Sequence, residues 1–357
     1  MQVHDGISAA RLGGLRSMAR STVAGILCFL ALPAAAALAD AAGPTDYRST
    51  ITAIDPPTPA LHPSIIGGDS FLLLRVDHGV SVDVVGYQGE PYLQFLADGT
   101  VQENRASISY WSSTSRLGEA APDDLPLDAP PKWVTVAHGG SYAWHDHRIH
   151  WMSNTKPLGK HPGDVVLQAE VPLVVDGVDV RLTVQSTWLP PPSSVPAWSG
   201  AVLGALVAAA VLRRPRLPSA MAALDVAVLA TVVGLWQFFS LPSETGPSVL
   251  WFALPAVATA AGVALAMSVH RGSAVGVPSA QLLIGVDLAW WGWSRRSGLS
   301  RALLPTNAPA WLDRLTTSAA LAMGALLAVI AFQRLAVLII SPQRALPPAD
   351  DAATSAS

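Results

Sequence analysis

Three histidines fall within six residues in the run Trp144-His145-Asp146-His147-Arg148-Ile149-His150-Trp151. Seven of the nine histidines in the chain lie between residues 43 and 189. Imidazole suits Cu(II), Zn and Ni, and a carboxylate or water can complete such a shell. On a β-strand, alternate side chains share a face, so His145 and His147 would point one way and Asp146 the other. Two imidazoles on one face form a metal-ligand pair, whereas His150 is out of phase and joins only through a turn or bulge. The candidate metal ligands are therefore His145, His147 and His150, with Asp146, Met152 and His138 as further donors. Met152 would add a soft ligand for Cu(I), and His62, His78 and Glu90 are more distant candidates. Divalent affinities peak at copper, which makes Cu the first expectation and Zn the second. A blue-copper centre needs a thiolate, and the single cysteine, Cys28, lies far upstream. The competing reading is a structural network in which imidazoles flanked by Trp144 and Trp151 bond to Asp146 and Arg148 and tie a sheet to a loop. No hydrolase elbow, phosphate-cradling glycine loop or metalloprotease helix motif occurs, so the chain is not expected to be an enzyme.

These residues need a β-rich scaffold, and the flanking sequence supplies one. Residues 71–77, 80–86, 91–97, 132–137, 165–175 and 178–188 are rich in Val, Leu, Tyr and Trp and alternate as strands do. Asp176-Gly177 and Asp98-Gly99 are hairpin signals, because tight turns need positive φ. Residues 112–131 are rich in Pro, Ser and acidic residues and read as a long loop. Many short strands with turns predict an all-β domain over residues 43–189, of the immunoglobulin-like sandwich type. Tyr142, in Gly140-Ser141-Tyr142-Ala143-Trp144, is similar to the tyrosine corner of such domains, although Trp144 stands where their cysteine would be.

The rest of the chain is of another kind. Of its 357 residues 51% are hydrophobic and only 13% charged, against about 25% charged in soluble proteins. The N-terminus reads as a secretory signal over residues 1–39: Arg11, Arg16 and Arg20, an apolar core from Ser21 to Leu32, then small residues before a cut near Asp40. An uncleaved anchor is the alternative, and both place the next segment outside the cytoplasm. After a proline-rich linker, residues 190–196, come apolar segments at 197–212, 220–241, 249–269, 275–293 and 315–331. A crossing helix needs about 20 apolar residues. The fourth segment contains Gln281 and Asp287, so arginine placement favours four spans and tryptophan placement favours five. Five spans are expected over residues 197–340, with a cytoplasmic tail at 341–357. The chain is thus read as a multi-pass cell-membrane protein in the lipid bilayer, with its N-terminal domain outside. The short linker predicts that the domain sits against the outer loop 294–313.

Charge narrows the partners. Residues 43–196 hold 17 acidic and 9 basic residues, and an acidic domain does not suit nucleic acid. Other envelope proteins or copper-handling proteins are the expected partners.

Three stretches carry a resemblance: residues 86–93 (Gly-Tyr-Gln-Gly-Glu-Pro-Tyr-Leu), residues 141–152 with the Trp-His-Asp-His-Arg-x-His-Trp run, and Leu304-Pro305-Thr306 followed by Pro309-Ala310-Trp311-Leu312-Asp313-Arg314. Through them the chain resembles an uncharacterised family of exported multi-spanning membrane proteins from high-GC Gram-positive bacteria. The resemblance runs from the β domain to the C-terminus. It implies the same topology and marks the histidine run as a hallmark, but it carries no activity with it.

Overall fold

The computed structural model describes residues 42–340 apart from 117, 119, 120, 123, 124, 127, 128 and 154. The signal peptide and the tail expected from the sequence lie outside the described residues.

Ten antiparallel strands form two sheets. They are β1 (Tyr47–Asp55), β2 (Leu61–Ile66), β3 (Phe71–Val76), β4 (Val82–Val85), β5 (Pro91–Phe95), β6 (Val101–Asn104), β7 (Trp133–Ala137), β8 (Ser141–Trp144), β9 (Val165–Val175) and β10 (Val178–Trp188). Seven strands lie in the order β1-β10-β9-β4-β5-β6-β7 and three in the order β2-β3-β8. This seven-plus-three partition differs from the four-plus-three one of an immunoglobulin constant domain. Asp176 (φ 46°) and Gly177 (φ 81°) close the β9–β10 hairpin with the two positive φ angles that a type I′ turn needs.

The two sheets share one core, in which Leu72, Leu74 and Trp144 from the small sheet meet Val84, Leu93 and Phe95 from the large one. Alternate residues of β3 point the other way. Phe71 and Leu73 pack with Ala143, Ala42 and Leu241, beyond the sheet. Strand β3 is therefore covered on both faces, which explains its unbroken run Phe71-Leu72-Leu73-Leu74.

A short helix, α1 (Ile108–Ser112), follows β6. Five long helices follow β10: α2 (Val195–Arg213), α3 (Leu217–Phe239), α4 (Leu250–His270), α5 (Gly276–Ser294) and α6 (Ala310–Ile340). Four of them, all but α5, are long and apolar enough to cross a membrane. They alternate in direction. At one end Gln281 donates to the Val211 carbonyl (3.3 Å) and Arg334 to the Leu212 carbonyl (2.6 Å). At the other, Arg295 donates to Gln237 and to Asp313 (2.5 Å). Helix α5 reaches both ends, so it runs the full length of the bundle. Gly200 and Gly204 on α2 face the backbone of Leu315 and Ala319 on α6, where a Cβ would collide with a carbonyl oxygen. The Gly-x-x-x-Gly spacing thus packs two helices of this bundle together.

Both Asp287 oxygens are buried without a hydrogen-bond partner among the described residues, and Gln281 donates to Val211 rather than to Asp287. The two residues lie six apart, about a third of a turn out of phase on a helix.

The domain is fastened to one end of the bundle. Thr45 and Leu303 exchange backbone hydrogen bonds of 3.1 and 2.8 Å. Asp46 accepts from Arg301 (2.6 Å) and from the Ala302 amide (2.9 Å). Arg314 holds this loop by donating to the carbonyls of Gly298, Arg301 and Ala302. The expected contact with loop 294–313 is made through Thr45 and Asp46. At the same end Trp198, Trp236, Trp290, Trp293 and Trp311 are all exposed, an aromatic belt of the kind found at a membrane surface.

Candidate functional site

Strand β8 ends at Trp144, and this changes the geometry of the histidine run. Asp146 accepts from the Arg148 amide (3.0 Å) and caps a 3₁₀ turn over His147–Ile149. An Asp side chain serves well as such a cap, because its oxygen satisfies an amide that the turn leaves unpaired. His145 and His147 therefore do not share a strand face. This corrects the expected pair of ligands on one side of a strand.

Asp146 is fully buried and central. Its carboxylate accepts from Arg148 Nε (2.8 Å) and a terminal Arg148 nitrogen (2.7 Å), and from Trp144 Nε1 (3.1 Å). Arg148 also donates to the Val85 carbonyl (3.0 Å) and lies over the Tyr87 ring (4.9 Å). Burial alone would lower its pKa, but Asp146 outweighs that and the guanidinium is held above its usual range.

The three imidazoles meet different surroundings. His145 is buried, stacks on Phe71 (4.0 Å between centroids) and has Nδ1 2.7 Å from the Ser70 carbonyl. Since Phe71 packs toward Leu241, His145 lies between the β core and the helices. His147 is half-buried and stacks on Tyr87 (5.7 Å), its Nε2 lies 3.3 Å from the Ser115 carbonyl, and its amide donates to the Tyr87 hydroxyl (2.8 Å). Burial lowers its pKa. His150 is 1% exposed and meets His147 edge-on at 5.4 Å between centroids. Neither of its ring nitrogens has a hydrogen-bond partner among the described residues. Burial, then the charge of Arg116, pushes its pKa down to about 3.

The remaining candidates disperse. His138 is exposed in the β7–β8 turn, at the opposite end of β8 from His145. Met152 is 39% exposed. His62 pairs with Asp77 (3.0 Å) on the surface, and His78 lies in the exposed turn after β3. Glu90 accepts from Ser107 Oγ (2.7 Å), from the Ser109 amide (3.0 Å) and hydroxyl (2.7 Å), and from the Gln88 amide (2.9 Å). It thereby tethers the N-terminus of α1. Gly86 makes room for it, since a Cβ there would overlap the Glu90 carboxylate. These bonds outweigh burial and lower the pKa of Glu90. Among the described residues, no three His, Cys, Asp or Glu side chains converge as metal ligands.

Several members of the cluster carry no signal in the local sequence. Asp69 is fully buried and forms a two-pronged pair with Arg116 (2.9 and 2.6 Å). Arg116 sits in the loop that composition marks only as irregular. Ser49 of β1 donates to the Ile149 carbonyl. Tyr87, in the stretch 86–93, packs against the histidine run through His147 and Arg148. No family profile, curated protein or solved structure matches the chain.

Proposed function

We propose that this chain is a membrane-anchored interaction module. It presents its β domain outside the cytoplasm to another envelope protein, and the histidine run is the polar core that keeps the presented domain in one shape. The observation that carries this reading is the inward use of the run. Asp146 binds Trp144 and Arg148, His145 contacts Ser70 and Phe71, and the His147 amide binds Tyr87. Side chains used this way order a fold, and they are poorly placed to greet a substrate. The bolted junction to the helices adds support, because a domain held rigidly above the bilayer offers a fixed surface and loses little freedom on docking.

A second reading, copper or zinc handling, is favoured by one feature. His150 keeps two buried ring nitrogens without a hydrogen-bond partner among the described residues, beside His147, and a neutral imidazole is the form that ligates. Elemental analysis of the purified full chain after dialysis against a weak chelator separates the two. The module reading expects no stoichiometric metal, together with a discrete heteromeric adduct from a photocrosslinker at Leu158 or Val178, both well exposed. That adduct should form equally well on protein stripped of metal by a strong chelator. One retained metal per chain, lost in a His147→Ala/His150→Ala variant, would overturn the module reading in favour of metal handling.

A further inference from the structure

The end of the bundle away from the β domain carries its own site. The α2–α3 turn, the α4–α5 turn and the last turns of α6 meet there, joined by the contacts of Arg334 and Gln281 to the C-terminal end of α2. Between them lies a cleft of about 790 Å³. Val269, Ala274, Val277 and Ile330 are among its apolar walls, and Ser273 and Arg334 add polar groups. Arg334 is joined at this end by Arg213 and Arg214, Arg216 and Arg271, all exposed. Pro215 lines the cleft between Arg214 and Arg216, and Gly272 lines it next to Arg271. No Asp or Glu occurs in residues 209–219, 266–280 or 326–338. The nearest carboxylate along α3, Asp225, lies two helical turns inside.

We propose that this cleft is a binding site for one anionic phospholipid, an acyl chain lying along the apolar walls and the phosphate against Arg334 and the turn arginines. Two independent features point to that occupant. The walls are mostly apolar, and they come from α5 and from two helices, α4 and α6, that are apolar enough to cross a membrane, so a hydrocarbon chain is the natural filler. Arg334 lines the cleft and four more arginines stand in the two turns that border it, with no carboxylate in those turns or in the last turns of α6 among the described residues, so the head must be negative. Basic pockets between spanning helices recognise lipid phosphate in this way, and arginine pairs with phosphate oxygens in a two-pronged geometry that lysine lacks. The same arginines place this end on the cytoplasmic side by the positive-inside rule, where the anionic lipids of the inner leaflet are at hand. A zwitterionic lipid would satisfy the cleft but not the rim, and a soluble phosphate the rim but not the cleft.

The test uses the full chain in a neutral detergent. Its thermal midpoint is followed against added phosphatidylglycerol, phosphatidylcholine with the same acyl chains, or glycerol phosphate. Phosphatidylglycerol should raise the midpoint and the other two should not. Arg334→Gln should weaken the response roughly fivefold, the factor expected for one arginine at a lipid surface, and Arg213→Gln/Arg214→Gln should weaken it further. Ala274→Trp, which fills the cleft from an exposed position, should abolish it. Native mass spectrometry of the unaltered protein gives a readout free of variants, and one retained phosphatidylglycerol is expected. Equal stabilisation by phosphatidylcholine or by glycerol phosphate would overturn the proposal. So would an unchanged response in Ala274→Trp, or a lipid-independent change of oligomeric state in that variant, which would mark the cleft as a seat for a second copy of the chain.

Discussion

His150 is a neutral imidazole buried beside the guanidinium of Arg116, and protonating it there is costly. In the unfolded chain its pKa returns to about 6.5. Between about pH 6.5 and the folded value of about 3, the unfolded state binds a proton that the folded state refuses. Stability contributed by this group is complete above the unfolded pKa and declines as pH falls through that window. Thermal unfolding of the full chain should show a loss approaching about 1.4 kcal/mol per pH unit below 6.5. His147, also lowered by burial, adds in the same direction. His150→Leu should flatten the slope, and a slope unchanged by that substitution would remove His150 as its source. The second prediction at this scale concerns Asp146. Asp146→Ala strands the Arg148 guanidinium, whose side chain is only 16% exposed, and removing one member of such a pair costs about 3–5 kcal/mol. Asp146→Ala/Arg148→Met should recover part of that loss, because no uncompensated charge remains. A double variant no better than the single one would show that hydrogen bonds to Trp144 and the 3₁₀ turn, rather than the charge, set the cost.

Close packing of α2 on α6 makes the sharpest prediction about elements. Gly204→Leu should drive a side chain into the Ala319 backbone and lower the melting temperature by several degrees, since overpacking costs about 1–3 kcal/mol. A variant that melts normally but changes oligomeric state would mean that the motif serves association instead. The elements were unequally legible in the sequence, for physical reasons. Strands β9 and β10 stand out because Asp176-Gly177 encodes their turn and their apolar residues alternate over 11 positions each. Strands β1 and β2 do not, because Asp55-Pro56-Pro57 between them reads as a loop and both lie at sheet edges, where few positions are buried. Strand β6 has only four residues and contains the buried Glu103 and Asn104. Strand β8 was hidden by its neighbour: the alternation seen in Trp144-His145-Asp146-His147 suggested a strand running on, while the decisive signal was a cap at Asp146. The site suffered from the same limit. Asp69 and Arg116 meet across 47 positions in sequence, and no local pattern encodes a contact of that range.

At the scale of the whole molecule, the junction and the bundle settle how many parts can move. Thr45, Asp46, Ala42 and Phe71 tie the domain to loop 294–313 and to Leu241, so domain and bundle should unfold in one transition. Arg301→Glu places like charge against Asp46 and should split that transition in two. Topology follows from the bundle's alternation. The β domain precedes α2, and α2 to α6 each run from end to end, α5 included, through its contacts with Val211 at one end and with Gln237 and Asp313 at the other. Five traverses leave the end of α6 on the side away from the domain, where Arg213, Arg271 and Arg334 cluster. Asp287 is the reason to doubt that α5 crosses, since a carboxylate at mid-bilayer costs about 2.5–3.5 kcal/mol on insertion scales. Asp287 is 1% exposed and faces the bundle interior rather than lipid, as ionisable residues within crossing helices do. In a Cys28→Ser background, Lys160→Cys should react with a membrane-impermeant maleimide in intact cells. Arg214→Cys should react only after permeabilisation, and a reporter at Ala353 should be active only inside. If the Ala353 reporter works only outside while Arg214→Cys stays protected, one helix fails to cross. Helix α5 would be the one to blame, because it alone among the five is not apolar enough by composition. Its packing along the full length of the bundle would then need a membrane surface that bends around it.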